Sequence, residues 1–306
     1  MKYVIMGSGG TGASIGGFLA NAGHDVTLIA RGSHLAAIRK NGLIIHSDKC
    51  GEMQLTNIKA MTTDEYTDVA DVIFVAVKGY SIDEIVPFLA KASDEHTIII
   101  PILNIYGTGQ YLAQQLPDTN VIEGCIYIVA YISAPGEITQ SGKIFRVVYG
   151  TRGKTPLQPQ LEEIKSDLED SGIQVVLSEK IADDTFRKFT FVSPFAAAGA
   201  YFDIPAGPMQ QPGQEQDFYI ALVQDCQTIA KAYSIHLPND IIDINLKILH
   251  AVTPDTTASM QKDLAKGPGA KTEMDGLIFE IVRMAKAKNI SVPAYEEVAA
   301  KFGFKI

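Results

Sequence analysis

The residues of this 306-residue chain that could do chemistry are a glycine cluster, two lysines, an arginine and a few polar side chains beside apolar runs. Gly7, Gly9 and Gly12, within GSGGTG, stand at the GxGxxG spacing directly after the apolar run KYVIM. In such a strand–turn–helix context the first glycine permits the tight turn. The second lets backbone approach a pyrophosphate, and the third lets helix and strand pack closely. The helix start that follows presents free N–H groups and the positive end of its dipole to phosphate. Gly7, Ser8, Gly9, Gly10, Thr11 and Gly12 are therefore expected to bind a dinucleotide; the alternative is a glycine-rich turn without a ligand. A second apolar run, DVTLIAR, ends at Arg31 about 20 residues on, where an NAD site has a carboxylate. A guanidinium there suits a 2′-phosphate, so NADP(H) is expected rather than NAD(H), unless Arg31 merely faces solvent.

Lys78 follows DVIFVAV (71–77) and Asn104 follows TIIIPIL (97–103). Ligands of open α/β sheets bind outside the carboxyl ends of the strands, so both are expected in the crevice that takes the nicotinamide half. A surface lysine and a turn-forming asparagine are the alternatives. Lys188 lies between Phe186 and Phe189 in an apolar helical stretch. Beside apolar surface an ammonium can lose basicity and become a usable acid; it can also snorkel to solvent. In ASMQKDLAKGPGAKTEMDG, Ser259 and Asp263 share a helical face by spacing. Glu273 and Asp275 flank a helix start, where capping competes with a site role. The six histidines show no ligand pairing, and neither a metal site nor a Ser-His-Asp set can be argued.

Elements that must position these residues follow from apolar periodicity. Runs 71–77 and 97–103 read as strands buried on both faces of a parallel sheet. Segments around 121–132 and 145–149 read as further strands, with Pro135-Gly136 as the turn between them. Residues 156–171 form an amphipathic helix on Leu157, Leu161, Ile164 and Leu168, with Pro156 in its first turn, and 173–177 closes this half as a strand. After about Ser178 only helices are expected, over 218–233, 241–249 and 277–285, with loops at 205–213 and 266–269. The fold class is α/β: an N-terminal Rossmann-type doubly wound sheet followed by an all-helical C-terminal domain. The domains are 1–178, binding NADP, and 179–306, for substrate and dimerisation.

Composition sets the remaining bounds. A net charge of −9 argues against nucleic acid or an anionic membrane as partner. Cys50, Cys125 and Cys226 are far apart and form no CxxC, which fits a reduced, cytoplasmic compartment. The chain enters a core strand almost at once, so no signal peptide is expected. The longest apolar stretch, near 98–103, is too short to span a bilayer.

Taken in order, GSGGTG, Arg31, Lys78, Asn104, FRKF around Lys188, ASMQKD around Ser259, TEMD around Glu273 and ISVP near the end resemble the ketopantoate reductase (2-dehydropantoate 2-reductase) family over nearly the whole chain. That resemblance implies NADPH-dependent reduction of a 2-oxo acid, ketopantoate, to pantoate on the route to pantothenate. By position, Lys188 is then the general acid and Glu273 a substrate-hydroxyl ligand that also reaches the cofactor. Asn104 and Lys78 line the cofactor–substrate crevice, and Ser259 binds the substrate carboxylate. The chain departs from the family pattern at Val192, Ala196 and Thr256, where asparagines are usual, and Ile278-Phe279 stands where Asn-Gly is frequent. Losing hydrogen-bond partners disfavours a hydroxylated substrate. A less polar 2-oxo acid, a related hydroxyacid dehydrogenase and a catalytically silent NADPH sensor are therefore the alternatives. Apolar helical faces in the second half admit a homodimer.

Overall fold

The apolar runs become strands because both of their faces are covered. A computed structural model describes residues 1–152 and 159–304. Strands β1 (Lys2–Met6), β2 (Asp25–Ile29), β5 (Lys59–Met61), β6 (Val72–Val75), β7 (Ile98–Pro101) and β8 (Asn120–Val121) form one parallel sheet in the order β5-β2-β1-β6-β7-β8. Successive side chains of β1 alternate between its faces. Tyr3 and Ile5 pack with Phe18 and Leu19 of helix α1 (Gly10–Asn21). Val4 and Met6 pack with Ile85, Phe88 and Leu89 of α3 (Ile82–Ala92) and Leu112 of α4 (Thr108–Gln115). Between β2 and β5, α2 spans Gly32–Asn41.

A second, mixed sheet takes up the strands expected around 121–132 and 145–149, but its assembly was not legible in the periodicity. Strands β3 (Leu43–Ser47), β4 (Gly51–Leu55), β9 (Glu123–Ala134), β10 (Glu137–Gly150) and β11 (Gln174–Leu177) build it, with β10 pairing in parallel to β3 and β11 and antiparallel to β9. Thus the strand expected at 173–177 exists, but it belongs to this second sheet. Helix α1 lies between the sheets; Phe18 meets Phe145 of β10 edge-on at 4.9 Å. Helix α5 runs Pro159–Asp170 and buries Leu161, Ile164 and Leu168. Pro156 and Leu157 lie outside the described residues.

From Ile181 on, the described residues form helices joined by loops, with no strand among them: α6 (Ile181–Phe202), α7 (Ala206–Met209), α8 (Gln214–Ala232), α9 (Ile241–Ala251), α10 (Ser259–Leu264), α11 (Glu280–Ala287) and α12 (Pro293–Lys301). The loop expected at 205–213 contains α7. The helix expected at 277–285 begins earlier, as a wider π turn over Asp275–Phe279 that leads into α11. Phe186, Tyr219, Leu222, Cys226, Ile281 and Tyr295 are fully buried in this core, each large apolar side chain contributing about 1.5–3 kcal/mol. Two compact units result: Met1–Leu103 with Gly107–Ile181, and Asn104–Tyr106 with Ala182–Ile306. Among the described residues no helix is long and apolar enough to cross a membrane.

Candidate active site

In the first unit, the glycines of GSGGTG differ in what surrounds them. Gly7 takes a positive φ of 98° where the chain leaves β1, a conformation that a side chain disfavours. A Cβ on Gly12 would lie 2.1 Å from the Gly7 carbonyl oxygen and 2.9 Å from Ile5, so this residue sets the helix–strand approach. Gly10 is tight for a different reason: a Cβ there would meet the Ala130 carbonyl of β9 at 2.4 Å. Gly9 alone opens onto empty space. It is the N-cap of α1, which has no side-chain cap and no acidic residue in its first turn. The N–H groups of that turn and the clearance above Gly9 fit a pyrophosphate. Buried Ser8 donates its hydroxyl to the Ile29 carbonyl (2.9 Å), tying the loop to the end of β2, and Thr11 is half-buried in the first turn.

Arg31 follows that strand end as the exposed N-cap of α2. His34, to which the sequence assigned no role, accepts the Gly136 N–H at Nδ1 (3.0 Å). Burial pushes its pKa down. Lys78 sits half-buried at the N-cap of a single 3₁₀ turn, Gly79–Ser81, beyond β6.

In the second unit, Lys188 of α6 donates from Nζ to the Asn104 Oδ1 at 2.7 Å. Asn104 and Lys78 were expected together at strand ends; Asn104 groups with the helical unit, whereas Lys78 stays with the sheet unit. The short Asn104–Tyr106 segment is anchored by Tyr106, whose ring meets Phe186 edge-on at 4.8 Å. Its other anchor is Ile105, which lies where a Cβ on Gly276 would be, 2.6 Å away. Gly276 stands three residues after Glu273, which is 5% exposed at the entrance to the π turn. One short segment thus touches both the helix of Lys188 and the turn that follows Glu273. A bulky residue at 276 would prevent this, a constraint visible in sequence only as the glycine of TEMDG.

Helix α6 contains Pro194, which has no N–H to give to the carbonyl of residue 190. Buried Asn245 of α9 supplies the missing donor: its Nδ2 reaches the Thr190 carbonyl at 2.9 Å and the Thr190 Oγ1 at 3.0 Å.

Other expected pairs separate. Ser259 is exposed at the start of α10, whereas Asp263 is buried and ion-paired with Lys266 at 2.5 Å. Asp275 is exposed and bound by Arg283 at 2.8 Å, unlike buried Glu273. Val192, one turn beyond Lys188, is half-buried, and Ala196 is in the core. The Thr256 hydroxyl pairs with that of Thr253 at 2.8 Å.

Comparison with known proteins gives a consistent picture. Residues 3–154 match the family described as ketopantoate reductase PanE/ApbA, and residues 180–305 match its C-terminal counterpart. An uncharacterized oxidoreductase, YkpB, of Bacillus subtilis is 26% identical over 98% of this chain and 97% of its own. The 2-dehydropantoate 2-reductase of Pyrococcus horikoshii is 27% identical over 96% and 93%. The crystal structure of a PanE/ApbA family ketopantoate reductase from Ralstonia eutropha superposes with a TM-score of 0.88 at 24% identity, covering 98% of this chain and 97% of the other, which shows the shared fold.

Proposed function

The chain belongs to the ketopantoate reductase family, and on that premise we propose that it is an NADPH-dependent reductase of a 2-oxo acid, with 2-dehydropantoate as the first candidate substrate. Membership makes it an oxidoreductase. The reading rests above all on the 2.7 Å hydrogen bond between Lys188 and Asn104. An amide oxygen accepts from an ammonium without neutralising it, so Asn104 orients Lys188 without itself removing the charge. A held ammonium stabilises negative charge growing on a carbonyl oxygen and then donates the proton.

When bound, NADPH supplies the hydride that the carbonyl carbon accepts. Gly7, Ser8, Gly9, Gly10, Thr11 and Gly12 hold its pyrophosphate in this proposal, and Arg31 takes the 2′-phosphate. Lys78 and Asn104 line the nicotinamide side. Glu273 receives a substrate hydroxyl as well as lying beside the cofactor, and Ser259 takes the substrate carboxylate. A cytoplasmic homodimer belongs to the same proposal.

One observation favours a less polar 2-oxo acid as a second reading. The α6 position one turn beyond Lys188 is half-buried Val192, which offers no hydrogen bond. The polar groups of Asn245 and Thr256 are engaged by Thr190 and Thr253. NADPH consumption across a panel of 2-oxo acids that includes ketopantoate tests both. Turnover of ketopantoate supports the first reading, and turnover of apolar 2-oxo acids alone supports the second. Turnover of neither, with tight NADPH binding, removes both.

A further inference from the structure

Beneath the proposed active site runs a buried chain of hydrogen bonds that no catalytic role requires. Ser193 Oγ donates to the Leu277 carbonyl at 2.5 Å. The same Oγ lies 2.5 Å from the Tyr295 hydroxyl, which lies 3.5 Å from Cys226 Sγ. All four residues are at most 1% exposed. A carbonyl only accepts, so the direction of the chain is set from its end. Ser193 gives its proton to Leu277, Tyr295 gives its proton to Ser193, and Cys226 closes the chain as donor. Burial pushes the Cys226 thiol up to about 12 and raises the Tyr295 hydroxyl as well, so neither ionises near neutrality.

The position of this chain gives it a function. Ser193 lies five residues beyond Lys188 on α6, about 140° around the helix, so it faces the core while Lys188 faces Asn104. Leu277 lies one turn beyond Glu273 and closes that turn through its own N–H to the Glu273 carbonyl at 2.9 Å. The turn is the π segment Asp275–Phe279, a geometry that is rare and frequent at functional sites. The Ser193–Leu277 bond therefore joins the helix of Lys188 to the turn of Glu273 from below. Tyr295, whose backbone N–H is also bound by Asp225 Oδ2 at 3.0 Å, braces it from α12.

We propose that Ser193, backed by Tyr295, is a positioning residue that sets the rotation of α6 against the π turn and so the placement of Lys188 relative to Glu273. This rests on the catalytic reading of those two residues given above. The test uses the full-length enzyme and four variants. Ser193→Ala removes the bond to Leu277, and Tyr295→Phe keeps the ring but removes the donor to Ser193. Ser193→Thr retains the hydroxyl, and Lys188→Ala checks the underlying assignment.

Small misplacements of a reacting group cost rate steeply. Ser193→Ala is expected to lower kcat about tenfold, while the NADPH dissociation constant, read by fluorescence titration, stays near that of the wild type. Tyr295→Phe should move kcat in the same direction by less, and Ser193→Thr should restore it. Where Ser193→Ala does not fold, the Tyr295→Phe result decides. Wild-type kcat in the variant that decides, a loss that Ser193→Thr leaves in place, or an equal loss of NADPH affinity overturns the proposal. Undiminished turnover in Lys188→Ala would sink the catalytic reading and the clamp together. An inactive Lys188→Ala beside a fully active Ser193→Ala would sink the clamp alone.

Discussion

Lys188 Nζ donates to Asn104 Oδ1 over 2.7 Å, joining residues 84 positions apart in the chain. Their pairing within the helical unit makes the strongest kinetic prediction. Lys188→Ala should lower kcat by about 10²–10⁴-fold, the usual scale of general acid catalysis. NADPH affinity should change little, because the glycine loop and Arg31 belong to the other unit. Asn104→Ala keeps the ammonium and removes this one acceptor, so its loss should be smaller, about tenfold. Steady-state kinetics beside NADPH titration check both, and near-normal turnover of Lys188→Ala would refute the assignment.

Gly9 and Gly12 should respond oppositely to the same substitution. Gly9→Ala places its methyl in open space, so melting should be unchanged while NADPH binding weakens by an order of magnitude or more, as the methyl occupies the proposed pyrophosphate position. Gly12→Ala drives a methyl to 2.1 Å from the Gly7 carbonyl oxygen, an overpacking that costs about 1–3 kcal/mol or more of stability. Thermal melts of the cofactor-free variants separate the two. Equal melting temperatures would contradict the packing argument.

Arg31→Ala should reduce affinity for NADPH about ten- to a hundredfold, the loss expected for a charge-assisted bidentate contact, and leave NADH affinity nearly unchanged. The exposed position of Arg31 at the N-cap of α2 makes a large change in stability unexpected. Parallel titrations with the two cofactors give the answer. An equal loss for both would remove the 2′-phosphate role.

Asp225 predicts a pH dependence of folding. Its carboxyl accepts the Tyr295 N–H at the start of α12 and is 6% exposed. Burial pushes its pKa up from 3.8 to about 6, against the opposing effect of the Tyr295 and Ala294 N–H groups. The folded state therefore binds this proton more tightly than the unfolded chain does. Its contribution is fully present below the ordinary value of 3.8 and is lost as pH rises through about 6. Asp225→Asn keeps an acceptor and cannot titrate. The stability of the wild type relative to this variant should fall by about 2 kcal/mol between pH 4 and pH 7, measured by denaturant unfolding. A flat difference would show that Asp225 keeps an ordinary pKa.

Much of the first unit was legible because its signals are local. A fully apolar run such as VIFV means burial on two faces, and the GxGxxG spacing of the turn is complete within six residues. Three strands of the second sheet were legible, at 121–132, 145–149 and 173–177; their assembly with β3 and β4 was not. Strand β10 pairs with β3, about 90 residues earlier, and with β11, across chain that carries no matching pattern. The π turn after Glu273 was also hidden, since its sequence carries an ordinary helical periodicity.

By itself, the sequence determined which chemical groups the protein has and the local elements that carry them: the glycine loop, a guanidinium at a strand end, a lysine in an apolar helix and a carboxylate before TEMD turns into a helix. Only the tertiary structure decided which of these groups meet. Asn104 joins Lys188 because Tyr106 and Ile105 pin its segment to the helical unit. Asp263 and Asp275 are engaged by Lys266 and Arg283, and Ser193 braces the turn after Glu273 through Leu277. Periodicity records how each element repeats along its own axis. Such pairings arise from packing between elements that are distant in the chain, and no repeat encodes them.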